Sequence, residues 1–191
     1  MSRVRHLLRG MISGLVAVLI MLPVAQADEL SAEAYARAPH GTVLFVRHAL
    51  APGTGDPTHF ELKDCATQRN LDDVGREQAK RLGVKMRDLG ISFSRIYSSQ
   101  WCRCLETAEL MQMGVVEELP YLNSFYQGIV PRAETLAGLR QVLDDLPEDG
   151  SVTLMVTHFV TISAITGQGV GSGEAVAYDP KTGTSVKVNF W

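Results

Sequence analysis

Runs of β-branched and apolar residues at 42–46, 93–97 and 151–156 leave this chain few ways to bury itself. Each reads as a candidate buried strand. Helical spacing fills the intervals. Over 73–89, Val74, Gln78, Ala79, Leu82, Met86 and Leu89 recur mostly three and four residues apart, with Asp72 as the N-cap and Gly90 as the stop. Segments 103–113 and 133–146 behave similarly. Strands alternating with helices of this length predict an α/β fold, a three-layer sandwich with a mostly parallel central sheet flanked by helices. The end of the chain differs. Segments 174–178 and 185–190 flank Asp179-Pro180-Lys181-Thr182-Gly183, which reads as the turn of a C-terminal antiparallel edge hairpin. The irregular stretches 50–70 and 117–132 are longer than ordinary connections and are predicted to wall a binding cleft.

The N-terminus reads as an export signal over residues 1–27. Arg3, Arg5 and Arg9 precede an apolar core from 11 to 24, and Ala25-Gln26-Ala27 supplies a small-x-small cleavage site, with the cut expected before Asp28. The apolar run is short of the ~20 residues a spanning helix needs, and Pro23 interrupts it, so no stable membrane insertion is expected after cleavage. A periplasmic or secreted protein follows, with 28–41 as a lead-in and 42–191 as one domain. The formal net charge is −3, and loss of the signal removes three arginines and no acid. That balance argues against nucleic acid or an anionic membrane as the main partner.

Three cysteines, Cys65, Cys102 and Cys104, stand in the part of the chain that would reach an oxidising compartment. One disulfide and one free thiol is the simplest arithmetic. Cys102 and Cys104 are too close on a predicted helix start to pair with each other, so Cys65 is expected to bridge one of them. A metal site would need better spacing than these cysteines with His40 and His59 provide, so no metal and no cofactor are expected.

The chemistry is carried by where basic residues fall. Arg47 and His48 follow the first buried strand, His158 follows the last, and Arg103 opens the helix after the strand ending near Tyr97. In open α/β sheets ligands bind beyond the carboxyl ends of the strands, so these four groups are expected to meet in one crevice. Two guanidinium groups with two imidazoles make an anion site, and phosphate suits them best, because its oxygens accept bidentate hydrogen bonds from planar guanidinium groups. The positive surroundings would also keep an imidazole neutral and nucleophilic.

The stretch Val43-Leu44-Phe45-Val46-Arg47-His48-Ala49 resembles the Arg-His-Gly signature of the histidine phosphatase superfamily, in its phosphoglycerate-mutase-like branch. Three further blocks follow in the family's order: Leu71-Asp72-Asp73-Val74-Gly75-Arg76-Glu77-Gln78-Ala79, Ser98-Ser99-Gln100-Trp101-Cys102-Arg103-Cys104-Leu105-Glu106-Thr107-Ala108, and Val156-Thr157-His158. The resemblance implies a metal-independent phosphatase with catalytic residues His48, Arg47, Arg103 and His158. His48 would become phosphohistidine, Arg47 and Arg103 would hold the phosphoryl oxygens, and His158 would donate a hydrogen bond to the developing charge. Arg69 or Asn70 would approach the phosphate. The cysteine-containing motif is similar to that of exported lipopolysaccharide core heptose phosphatases, which implies a phosphorylated cell-envelope sugar as substrate. Protein phosphohistidine is the runner-up, and a noncatalytic phosphate-binding module and a phosphoglycerate mutase are the alternatives.

The pattern departs from the family in one chemically weighty place. Many members carry a glutamate as general acid in the segment corresponding to 122–126, and Ser124 stands at its position. A hydroxyl is a poor proton donor at neutral pH. Asp56 and Glu134, beside the expected cleft, are the substitute candidates. Ala49 replaces the usual glycine after His48, and Glu174 either reaches the site or starts the hairpin.

Overall fold

The structure, a computed structural model, describes residues 29–191, so the export signal expected at 1–27 lies outside the described residues. The chain runs β1 (Glu29–Ser31), α1 (Ala32–Arg37), β2 (Val43–Arg47), α2 (Asp73–Asp88), β3 (Arg95–Ser98), α3 (Cys102–Met111), β4 (Val116–Glu118), α4 (Arg132–Asp144), β5 (Thr153–Thr157), α5 (Phe159–Thr166), β6 (Ala175–Asp179) and β7 (Thr184–Asn189). One seven-stranded sheet has the order β1-β7-β6-β2-β5-β3-β4. Pairings β2–β5, β5–β3, β3–β4 and β1–β7 are parallel, while β2–β6 and β6–β7 are antiparallel. The expected α/β sandwich and hairpin are therefore present. The lead-in adds structure of its own: β1 pairs with β7 and becomes the outermost strand on that side.

Side-chain alternation along the central strands builds the two cores. Leu44 and Val46 of β2, Leu154 and Val156 of β5, and Ala175 and Ala177 of β6 pack with Tyr35, Leu82, Met86, Ala108 and Met111 from α1, α2 and α3. The intervening residues Val43, Phe45, Met155 and Val176 face Leu139 and Leu143 of α4 and Ile162 of α5. Because successive side chains of a strand point to opposite faces, both apolar sets are buried only when helices cover both sides. Thus β2 and β5 read as unbroken apolar runs.

Local signals set the helix that braces the cleft. The Asp72 carboxylate accepts a hydrogen bond from the Gly75 amide at 2.7 Å and caps α2. Gly75 faces the loop after β2 so closely that a Cβ there would come within 2.0 Å of the Leu50 carbonyl oxygen. Gln78, one turn on, accepts from the Leu50 amide at 2.9 Å and donates to the Ser172 carbonyl at 2.8 Å. The two loops bordering the end of β2 are thereby tied to one helix face.

Candidate active site

The carboxyl ends of β2, β3 and β5 open onto a cleft of about 230 Å³, lined by Arg47, His48, Asp56, Arg69, Arg103 and His158 at its base and by Ser124, Tyr126, Gln127 and Phe159 toward its mouth. His48 follows β2 directly, and its amide donates to the Thr157 carbonyl at 2.9 Å, which joins the ends of the two central strands. Thr107 fixes the next residue: its hydroxyl accepts from the Ala49 amide at 3.0 Å and donates to the Arg103 carbonyl at 2.6 Å.

The ring of His48 is 2 % exposed as a residue and lies with its Nδ1 2.8 Å from the Ala49 carbonyl oxygen. A carbonyl can only accept, so Nδ1 carries the proton and Nε2 keeps its lone pair. Burial, reinforced by the positive charge of Arg103, pushes the His48 pKa down to about 3. The imidazole is neutral at physiological pH, with a free nitrogen in a cleft of cations.

His158 caps the start of α5 and meets His48 edge to face at a ring separation of 5.5 Å. Its tautomer follows from a chain of bonds. Asn123 Oδ1 accepts the Gln100 amide at 2.9 Å and the Ser99 hydroxyl at 3.0 Å. Ser99 has spent its one proton, so its oxygen accepts from His158 Nε2 at 2.9 Å. Nδ1 is left as a lone pair, 3.5 Å from Arg103 Nη2. Burial and then the charge of Arg103 hold the His158 pKa well below the ordinary histidine value. The buried thiol of Cys104 sits 3.5 Å from Nε2 of the same ring, and burial raises its pKa to about 12.

The three arginines are anchored by groups that leave donors spare. Arg47 donates Nη1 to the Val170 carbonyl at 2.9 Å and lies over the Phe159 ring at 5.7 Å. Arg69 donates Nε to the Gly55 carbonyl at 2.8 Å and Nη1 to the Ala51 carbonyl. Arg103 is paired with Asp56 through two bonds of 2.8 and 3.1 Å. Among the described residues, Nε of Arg47 and Nε of Arg103 are buried without a partner. Orphaned buried donors of positive groups lining one cleft define a site for an anion.

Not every residue expected in the site is there. Asn70 is corrected: its amide donates to the Cys65 carbonyl at 2.6 Å, and the residue lines a separate surface hollow beside the disulfide. Glu134 lies in the exposed first turn of α4 and is absent from the cleft lining. Glu174 accepts the Gly171 amide at 2.8 Å and starts the hairpin. Asp56 does line the cleft, but not as a free acid. Burial would raise its pKa, yet the bonds from Arg103 and the Arg69 amide hold the carboxyl below its usual range, so it is ionised. Ser124 lines the cleft. Cys65 bridges to Cys102, and Cys104 remains free. The roles of Gln78, Thr107, Ser99 and Asn123 are not evident in the sequence, although the first three stand inside the quoted motifs.

The family model described as the histidine phosphatase superfamily (branch 1) matches residues 43–125. No curated protein matches the chain. Among solved structures, the protein histidine phosphatase SixA complexed with tungstate is 16 % identical, with a TM-score of 0.51 over 76 % of this chain and 92 % of that one. A mycobacterial glucosyl-3-phosphoglycerate phosphatase is also 16 % identical, with a TM-score of 0.51 over 76 % of this chain and 95 % of that one. A phosphoglycerate mutase from Thermus thermophilus is 19 % identical, with a TM-score of 0.50 over 72 % of this chain and 92 % of that one. The chain has a histidine-phosphatase-like fold, and its residues 43–125 are similar to branch 1 of that superfamily.

Proposed function

We propose that the chain is a phosphatase that passes the phosphoryl group through Nε2 of His48. The observation that carries this reading is the Nδ1 bond to the Ala49 carbonyl, which leaves Nε2 unprotonated in an arginine-lined cleft. The Nε2 lone pair attacks phosphorus, and the bond to the leaving group breaks with its electron pair. Water then attacks phosphorus, the P–N bond breaks, and neutral His48 is restored. Arg47, Arg69 and Arg103 neutralise the oxygens, so the protein's own charges are placed where charge develops. His158 engages a phosphoryl oxygen through Nδ1, and the proton for that bond comes with the substrate.

The leaving group selects among substrates. Among the described residues, the one carboxylate lining the cleft is Asp56, and it is committed to Arg103. A sugar hydroxyl leaves poorly without a proton donor, whereas phosphohistidine protonated from solvent on its other ring nitrogen expels a neutral, weakly basic imidazole. The cleft therefore favours protein phosphohistidine over a phosphorylated cell-envelope sugar. The Cys65–Cys102 disulfide supports the oxidising compartment that the expected export signal implies.

The test is release of inorganic phosphate from an aryl phosphate, a phosphohistidine peptide and a sugar phosphate, with chelator present. Turnover of the first two, slow turnover of the third and a loss of at least ~100-fold in His48→Ala are expected. Turnover that survives His48→Ala would remove the proposal. Phosphate-dependent thermal protection without turnover would make the protein a binding module, and phosphate transferred between positions of a substrate would make it a mutase.

A further inference from the structure

We infer that Asp56 is a positioning residue, gripping Arg103 end-on so that the other edge of the guanidinium is presented to the phosphoryl group; this rests on the proposed phosphatase reading. A guanidinium group has two edges able to make paired hydrogen bonds, one through Nη1 and Nη2 and one through Nε and Nη2. Asp56 takes the first, with Oδ1 2.8 Å from Nη1 and Oδ2 3.1 Å from Nη2, and both side chains are 3 % exposed. Nε on the second edge is buried without a partner. A buried donor left unpaired is costly, and here it belongs to a residue lining the cleft beside His48.

Asp56 is itself held from several directions. Oδ1 also accepts the Arg69 amide at 3.0 Å, and Oδ2 accepts Trp101 Nε1 at 3.0 Å. Its own amide donates to Gln127 Oε1 at 2.6 Å, and Gln127 Nε2 donates to its carbonyl at 3.0 Å. Four donors converge on the carboxylate, and two walls of the cleft share the residue that carries it. A long flexible arginine is thereby pinned before substrate arrives, so little reorganisation remains for the reaction. A carboxylate so engaged holds no proton to give, which separates this role from that of a general acid.

The experiment compares wild type with Asp56→Asn, Arg103→Ala and the double variant on aryl phosphates of graded leaving-group basicity. It is paired with titration by inorganic phosphate. Asp56→Asn is expected to lower kcat/KM by roughly 10- to 100-fold on every aryl phosphate alike, leaving the dependence on leaving-group basicity as in wild type. In the Arg103→Ala background the Asp56 substitution is expected to add nothing further. Phosphate affinity should fall in Asp56→Asn and be no lower in the double variant than in Arg103→Ala. A loss that grows with leaving-group basicity, or losses that multiply in the double variant, would overturn the inference. If Asp56→Asn melts below the assay temperature, Asp56→Glu keeps the buried charge and undergoes the same comparison. If wild type hydrolyses nothing, the phosphatase reading fails, and the phosphate-affinity cycle alone decides whether Asp56 positions Arg103.

Discussion

His48 and His158 are both held neutral by burial among arginines, and this has opposite consequences for stability and activity as pH falls. An unfolded chain protonates both rings near the ordinary histidine pKa of about 6.5, while the folded His48 resists to about 3. In that window the unfolded state binds more protons, so stability falls as pH drops from about 6.5, by up to about 1.4 kcal/mol per pH unit for each histidine. Denaturant melts from pH 7 to 5 should show this slope, reduced in His48→Gln. Activity should behave differently. With Nδ1 of His158 unprotonated, the substrate monoanion is the species that supplies the missing proton, and the second pKa of a phosphate monoester is near 6. The kcat/KM should therefore decline above pH about 6, approaching tenfold per unit, and rate profiles on an aryl phosphate would check this. At this scale the sequence disclosed the basic residues, because Arg47, His48 and His158 sit where strands end and Arg103 opens the helix that follows one. It could not disclose the commitment of Asp56, whose partner stands 47 residues away.

The start of α3 shows how an element is set by what packs on it. Trp101 has no capping hydrogen bond from its side chain, yet it is stacked on Phe60 at 4.9 Å. The Cys102 amide donates to Gln68 Oε1 at 3.0 Å, and the Cys65–Cys102 bridge joins the same two segments. Loop 50–70 thus carries the helix end that presents Arg103. The bridge spans a sequence separation of 37, and its removal in Cys65→Ser should lower stability by about 2–4 kcal/mol in urea unfolding. Phosphate affinity should fall with it, because Arg103 is the next residue. Helices α2, α3 and α4 were legible from their spacing, but α5 was not. Its sequence, Phe-Val-Thr-Ile-Ser-Ala-Ile-Thr, is short, β-branched and without a polar stripe, so packing against β2, β6 and α4 decides its form. Strand β4 is three residues long and too brief to carry a pattern.

Across the whole molecule, the order of strands brings the site together. Neighbours β2 and β5 are separated by more than a hundred residues, and no local pattern reports that pairing, although their unbroken apolar character reports that both are central. Phe45 sits at this crossing, fully buried against α4 and α5. Phe45→Ala should cost about 3–5 kcal/mol, read as a lower urea midpoint. One bridge and one free thiol in the same chain would ordinarily invite scrambling, since a free cysteine two positions from a bridge is well placed to attack it. Cys104 is buried in the core, and burial raises its pKa to about 12, so it offers almost no thiolate with which to attack the bridge. Once the sheet and its helices have closed, the third thiol is kept protonated beside the cross-link, which favours retention of the Cys65–Cys102 pairing.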